Sequence, residues 1–317
     1  MFEGDNMKNK KIILMGTPSF AASVFEKIIL DGWNVVAIIS QPDRPIGRHH
    51  ELSSTPTKKI GEKYQIQVFQ VEKIKNDYSF VENLSPDLII TCAYGQIIPE
   101  AMLKIPTYGC INIHASLLPK LRGGAPIHRS IINGYDKTGI TIMEMVYKMD
   151  AGRIYKQMET PIYESDNLEI LSLRLQEIAS KMIIEFLPEY FSGKCIGIIQ
   201  NESLVTYGYN IKREEEKINW NLSSKDVFNL IRGLSPNPGA YSILDGKIVK
   251  IYSCEIVVND GNQEPGTIIS LEKGIVVKTL DGAIMINLVQ FEGRKKMSSL
   301  SYINGLKDNI LNKKFDL

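Results

Sequence analysis

The segment Cys110-Ile111-Asn112-Ile113-His114-Ala115-Ser116-Leu117-Leu118-Pro119 runs from an apolar stretch into a loop and carries a carboxamide and an imidazole two residues apart. A carboxylate, Asp150, follows in Met149-Asp150-Ala151-Gly152. If Gly109 to His114 is a strand, its period of two places Asn112 and His114 on one face. An amide N–H beside an imidazole is suited to polarising a carbonyl and to holding the oxyanion that forms when an amine attacks it. A carboxylate within reach of the imidazole would fix its tautomer and help to accept the amine's proton. Each residue also has a plainer reading: Asn112 as a strand-end turn former, His114 as a satisfied core histidine, Asp150 as a loop acid at an Asp-Ala-Gly turn. Residue types and spacing alone leave both readings open.

Other chemistries have less support. The flanks of Ser116 do not form a Gly-x-Ser-x-Gly elbow, and Cys110 has no evident activating partner. The opening Gly16-Thr17-Pro18-Ser19-Phe20-Ala21 lacks the three spaced glycines of a dinucleotide turn, and Ile39-Ser40-Gln41 ends without the acid that would bind a ribose. There is no Walker pattern. His49 and His50 are adjacent rather than at ligand spacing, and His128 reads as a helix-surface residue, so no metal is expected.

The elements that must position this segment follow from periodicity. Lys11 to Met15 is a buried-type run, followed by Phe20, Val24, Phe25, Ile28 and Ile29 at helical spacing, and Asn34 to Ser40 reads as a second strand. Further apolar runs at Leu88 to Cys92 and Gly109 to His114 alternate with helical segments, which predicts an α/β domain with a Rossmann-like, mostly parallel sheet. Asn112 and His114 then stand at the carboxyl end of a strand, where such sheets place ligands. After about Asn210 the texture changes to short β-rich runs at Ile248 to Tyr252, Gly266 to Ser270, Gly274 to Thr279 and Ala283 to Leu288, with Asp-Gly turns at Asp245, Asp260 and Asp281. This predicts a smaller β-barrel, OB-like domain. The expected division is residues 1–207, a connector at 208–220 containing the charge run Lys212 to Lys217, and a C-terminal domain at 221–317.

Composition bounds the partners. With 317 residues the chain has room for two cores, and a hydrophobic fraction of 44%, a charged fraction of 23% and a formal net charge of +1 exclude a disordered chain and a whole-protein basic field. Nucleic-acid contact must therefore be local. Cys92, Cys110, Cys195 and Cys254 are scattered, which suggests neither a disulfide framework nor a zinc knuckle and points to a reducing, cytoplasmic setting. No apolar stretch has the length of a membrane span, and the N-terminus has neither a signal nor a transit-peptide signature.

Asn112-Ile113-His114, Ser116-Leu117-Leu118-Pro119, Arg122-Gly123-Gly124-Ala125-Pro126 and Asp150 together resemble the folate-dependent formyltransferase family. The resemblance implies that Asn112, His114 and Asp150 are the catalytic set. It also implies that 10-formyltetrahydrofolate is the formyl donor, bound near Ser116, Leu117, Leu118 and Pro119, and that the acceptor amine attacks directly without a covalent enzyme intermediate. Met15 to Ala21, Gln41 to Arg48, Thr138 to Met143, Val205-Thr206-Tyr207, Ile218-Asn219-Trp220 and Pro236 to Tyr241 are similar to the branch of that family whose acceptor is initiator methionyl-tRNA. That resemblance makes 1–207 the catalytic domain and 221–317 a tRNA-binding domain, with no obligate protein partner; a formyltransferase of small amines such as nucleotide amino sugars is the alternative. Arg44 and Arg48 in the loop after the second strand, with Lys58 and Lys59 nearby, and Arg294, Lys295 and Lys296 in the last domain are the expected phosphate contacts. Where relatives usually continue Gly-Arg-Gly-Lys-Lys, this chain has Gly47-Arg48-His49-His50-Glu51, a less positive loop.

Overall fold

The computed structural model describes residues 7–46, 51–306 and 308–316. The described residues fall into two compact units: one comprises the chain up to Pro126, Thr138–Thr160 and Ser172–Tyr209, the other Ile127–Lys137, Pro161–Leu171 and the chain from Asn210 onward. Two short segments from the middle of the sequence thus group with the C-terminal unit.

The first unit is built on a seven-stranded sheet. Its first strand, β1 (Ile12–Gly16), is buried at every position, as a central strand covered on both faces must be. It is followed by helix α1 (Ser19–Leu30), whose apolar face is Ala21, Ala22, Val24, Phe25 and Ile28. Phe20 and Ile29, expected on that face, are only partly buried. β1 pairs in parallel with β2 (Val35–Ser40) on one side, and β2 with β5 (Val68–Gln70). On the other side β1 pairs in parallel with β6 (Leu88–Cys92), and β6 with β7 (Cys110–His114). Gly16 ends β1 because there is no room for a side chain: an added Cβ would lie 2.5 Å from the Cys92 carbonyl oxygen and 2.7 Å from the Ala21 Cβ.

The sheet is parallel as far as β7 and then changes hand of pairing, since β8 (Lys137–Glu144) runs antiparallel to β7; β9 (Ile154–Pro161) completes the order β5-β2-β1-β6-β7-β8-β9. The connections leave β1 towards β2 on one side and β6 towards β7 on the other, so the switch where α/β sheets hold ligands lies between β1 and β6, with the end of β7 next to β6. The loop expected after β2 is instead an antiparallel hairpin, Arg44–Ile46 (β3) against Glu51–Ser53 (β4). Residues 47–50, including Arg48, His49 and His50, lie outside the described residues. Among the described residues no helix is long and apolar enough to cross a membrane.

The C-terminal unit is an antiparallel sheet of β10 (Ala240–Leu244), β11 (Lys247–Val257), β12 (Ile268–Ser270), β13 (Ile275–Lys278), β14 (Ala283–Phe291) and β15 (Met297–Ser298), in the order β10-β11-β14-β13-β12 with β15 beside β14. Asp245 and Gly246 both take positive φ, the geometry of the tight hairpin turn that joins β10 to β11. The ends of the sheet are brought together by residues 312–316: Ile268 N donates to Lys313 O and Phe315 N to Gly266 O, while Asp316 N donates to Ile243 O of β10. That is the behaviour of a small barrel, in which closure leaves few unpaired edges. The core is filled by Val249, Ile251, Val277, Ile284, Ile286 and Val289, together with Ile218 and Trp220 from the segment read as a connector.

Trp220 is fully buried, stacks on Phe315 at 5.5 Å between centroids, and donates its indole N–H to Ser242 Oγ at 3.0 Å. Trp220→Ala should destabilise this unit by about 3–5 kcal/mol, from the lost apolar volume and the cavity left behind. Urea denaturation followed by far-UV circular dichroism would register it as a lower midpoint for the C-terminal transition; an unchanged midpoint would contradict the packing described.

Candidate active site

Asn112 and His114 project from the same face of β7, paired in register with Met143 and Thr141 of β8. Asn112 is half-buried, and its Oδ1 lies 2.8 Å from the Thr91 hydroxyl of β6. The same hydroxyl is 3.2 Å from the Ile111 carbonyl, so its proton goes to the nearer acceptor, the Asn112 amide oxygen. This orients Nδ2 outward, and among the described residues no protein group accepts from it. A half-buried amide donor is thereby held with its N–H available to a ligand oxygen.

His114 is buried. Its Nε2 is 3.0 Å from Leu121 O, an acceptor only, so that nitrogen carries a proton and donates. Nδ1 is the nitrogen through which the ring can take up or release a proton, and it faces Asp150 Oδ2 at 3.8 Å, just beyond hydrogen-bond length. Asp150 adopts a left-handed conformation, φ 48°, which aspartate tolerates better than most residues. Its Oδ2 accepts a 2.7 Å hydrogen bond from Gly123 N. The loop Leu121-Arg122-Gly123 thus receives His114 at one residue and grips Asp150 two residues later.

What holds this loop is a polar cluster that sequence reasoning did not assign. Arg122 is 0% exposed. Its guanidinium donates to Gln200 Oε1 from Nε (3.1 Å) and Nη2 (2.8 Å), and from Nη2 to Glu202 Oε1 (2.8 Å). Gln200 turns its own Nε2 to the carbonyls of Asp150 and Gly152, each at 2.8 Å. Glu202 also accepts from Lys148 at 2.8 Å. Gly152 is squeezed against the Glu144 carbonyl, so no side chain fits there. The backbone on either side of Ala151 is therefore fixed by one amide about 50 residues away in sequence. Arg122 was visible in its motif, but Gln200 had no local signal.

The Ser-Leu-Leu-Pro loop is pinned by Thr141, whose hydroxyl donates to Ser116 O at 2.6 Å and accepts from Leu118 N (3.2 Å) and Gln157 Nε2 (2.8 Å). Ser116 Oγ donates to Lys120 O within the loop, and Ser116 and Leu118 are buried. Of the four residues expected at the folate site, Leu117 and Pro119 are the ones that keep partial exposure. Cys110 is a poor nucleophile: burial pushes its thiol up to about 12. All four cysteines are free, and no group of His, Cys, Asp or Glu among the described residues could hold a metal ion. His128, expected on a helix surface, is half-buried instead, and desolvation lowers its pKa from the ordinary 6.5.

The expected phosphate contacts are scattered. Arg44 is exposed and paired with Glu72 at 2.8 Å, and Lys58 is held by Asp43 at 2.6 Å; Lys59 is exposed. In the C-terminal unit Lys296 lies 3.6 Å above the Tyr252 ring and Arg294 lies 5.7 Å above Tyr302, with Lys295 exposed between them. Arg48 lies outside the described residues.

An α/β sheet carrying an open amide donor, an imidazole and a carboxylate at one strand end defines a class of group-transfer enzyme acting on a carbonyl. Residues 10–187 match the formyl transferase family and residues 210–307 the formyl transferase C-terminal domain; the chain belongs to this family. It is 46% identical over 299 residues to methionyl-tRNA formyltransferase of Geobacillus sp. (strain WCH70), covering 93% of this chain and 94% of that protein. It is also 46% identical over 304 residues to methionyl-tRNA formyltransferase of Bacillus cytotoxicus, covering 95% and 97%. Among solved structures, an N-formyltransferase from Helicobacter canadensis in complex with folinic acid and dTDP-3-aminofucose shares the fold, with a TM-score of 0.65 at 19% identity over 88% of this chain and 98% of that one. HypX from Aquifex aeolicus in complex with tetrahydrofolic acid matches 93% of this chain with a TM-score of 0.64 at 18% identity, this chain spanning 47% of that protein.

Replacing Asn112 with alanine should lower turnover about a hundredfold to a thousandfold, the usual loss when one preorganised donor is removed, and replacing Asp150 should cost a similar factor, the usual share of a positioned proton acceptor, while the melting temperatures stay close to that of the parent. Near-normal turnover in either variant would remove that residue from the machinery. A second expectation concerns Glu202, whose carboxyl is held down to about 2, first by the Arg122 hydrogen bond and then by Lys148. Its folded pKa lies below the ordinary 4.5, so its stabilisation is complete above pH 4.5 and is lost as the pH falls from 4.5 towards 2. Thermal melts across that window should fall less steeply for Glu202→Gln than for the parent; equal slopes would show the ion pair to be thermodynamically silent.

Proposed function

We propose that this protein transfers the formyl group of 10-formyltetrahydrofolate to the amino group of initiator methionyl-tRNA, in the cytoplasm, as a step that prepares translation initiation. The observation that carries the reading is the Asn112 amide N–H, left without a protein acceptor beside the His114–Asp150 pair. The 46% identity to methionyl-tRNA formyltransferases along nearly the whole chain supports the acceptor, and folate-bound structural relatives support the donor. The donor set fits a formyl carbonyl: one neutral N–H donor for the oxygen and one acid–base pair for the proton.

10-Formyltetrahydrofolate would supply the formyl carbon, with N10 as the leaving nitrogen. Asn112 Nδ2 donates to the formyl oxygen and stabilises the negative charge that grows there as the amine nitrogen bonds to the carbon. The amine loses a proton to the Asp150 carboxylate, with His114 Nδ1 beside it to share the charge. As the bond from carbon to N10 breaks, the same proton is returned to N10, so the enzyme ends in its starting state. Thr91 fixes the Asn112 amide, and Gly123, Gln200 and Arg122 fix Asp150; these are positioning residues rather than reactants.

The domain assignment belongs to the same proposal: residues 1–207 catalytic, 208–220 connecting, 221–317 binding tRNA. Arg294, Lys295 and Lys296 carry the C-terminal part of that contact, and Arg44 and Arg48 the hairpin part. Aromatic rings lie beneath Lys296 and Arg294.

Formyl transfer should occur to charged initiator methionyl-tRNA and not to uncharged tRNA or to free amines, with 10-formyltetrahydrofolate as donor. Transfer to a nucleotide amino sugar but not to the charged tRNA would overturn the acceptor and leave the catalytic set standing.

A further inference from the structure

Residues 206–208 form a short parallel ladder with the loop that grips the catalytic pair. Arg122 N donates to Thr206 O at 2.9 Å, Gly208 N to Arg122 O at 2.7 Å and Ala125 N to Gly208 O at 2.8 Å. Leu121 N donates to Thr206 Oγ1 at 2.9 Å. The loop thus has two edges: one receives His114 through Leu121 O and holds Asp150 through Gly123 N, and the other carries Tyr207 one strand spacing away, about 5 Å.

Gly208 faces the loop, since an added Cβ would lie 3.3 Å from Pro126 Cα and 3.4 Å from Leu121. Its neighbours Tyr207 and Tyr209 therefore project together on the opposite side. Their rings are stacked, with centroids 5.2 Å apart and planes 1° from parallel. Tyr207 is 46% exposed and Tyr209 58%. The other stacked pairs among the described residues serve cores: Trp33 and Trp220 are buried, Phe69 and Phe80 pack against the core of the first unit, and Phe291 is buried beneath Tyr302. The Tyr207 and Tyr209 rings are instead stacked with their faces at the surface. Parallel exposed rings beside a reaction centre are the form of a base-stacking platform for single-stranded nucleic acid.

We propose that Tyr207 and Tyr209 form a stacking platform for an unpaired base at the 3′ end of the acceptor tRNA. This rests on the tRNA reading of the acceptor. The platform binds through the face of the base, so it positions the end of the acceptor without reading its sequence. Because its backbone is laddered to the loop that holds Asp150, the platform keeps a fixed position relative to the carboxylate that takes the amine's proton.

The test compares the parent with Tyr207→Ala/Tyr209→Ala, Tyr207→Leu/Tyr209→Leu and Tyr207→Phe/Tyr209→Phe variants, in steady-state transfer to charged methionyl-tRNA and in binding of uncharged tRNA carrying 2-aminopurine at its 3′ end. The expected result is a KM for methionyl-tRNA raised about tenfold to a hundredfold in the Ala and Leu variants, with the KM for 10-formyltetrahydrofolate unchanged. The Phe variant should keep parental KM values, and the quenching of 2-aminopurine fluorescence seen with parent and Phe variant should be lost with Ala and Leu. The proposal is overturned if the Ala and Leu variants keep the parental tRNA KM and quenching, if the folate KM rises instead, or if the Phe variant loses as much as Ala. Failure of the tRNA reading itself would show separately, as a parent enzyme that formylates a small amine and neither binds the labelled tRNA nor uses charged methionyl-tRNA.

Discussion

A guanidinium sealed from solvent is costly unless its donors find partners, because desolvation of a charge outweighs most single interactions. Arg122 directs four hydrogen bonds to Gln200 and Glu202, both more than 75 residues further along the chain. Much of the first unit's functional end depends on this arrangement. The loop that follows β7 is held where its carbonyl at Leu121 can receive His114 and its N–H at Gly123 can receive Asp150. Gln200, oriented by the guanidinium, has its remaining donors aimed at the backbone on either side of Ala151. The His114–Asp150 pair is thereby set by backbone positions rather than by a direct contact between its two members, which stand 3.8 Å apart.

The sheet supplies the rest of the rigidity. β6 and β7 are buried, in-register parallel neighbours, so Thr91 and Asn112 stand side by side with little freedom, and the amide is oriented before any ligand arrives. Thr141 on the antiparallel neighbour does the same for the Ser-Leu-Leu-Pro loop, engaging two of its backbone groups with one hydroxyl. A preorganised donor of this kind contributes to rate because it need not reorient as charge develops.

Much of this was legible in the residues. β6 matches the expected run from Leu88 to Cys92, and β7 begins one residue later than expected, because largely buried parallel strands leave a nearly continuous apolar signature. The period of two placed Asn112 and His114 together for the same reason. Asp150 could be paired with His114 only through a resemblance, since its approach depends on a left-handed turn and on Gly123, neither of which has a local periodic signal. Gln200 could not be found at all: a single amide in a strandless segment carries no pattern, and its role exists only through contacts across some 50 and 78 residues. The hairpin of Arg44 was read as a loop because its strands are three residues each, too short for alternation to register. Strand β10 was also missed, its apolar residues being broken by Tyr241 and Ser242 after a proline-rich turn.

The closure of the C-terminal barrel has a consequence for biosynthesis. Residues 312–316 bond to β10 and to the residues at β12, and they are made after every strand they join. While the chain is still emerging, the other strands can pair, but β10 and β12 keep backbone donors and acceptors unmet by this segment. Until this segment docks, the barrel keeps open sheet edges, the feature through which incompletely folded chains pair wrongly.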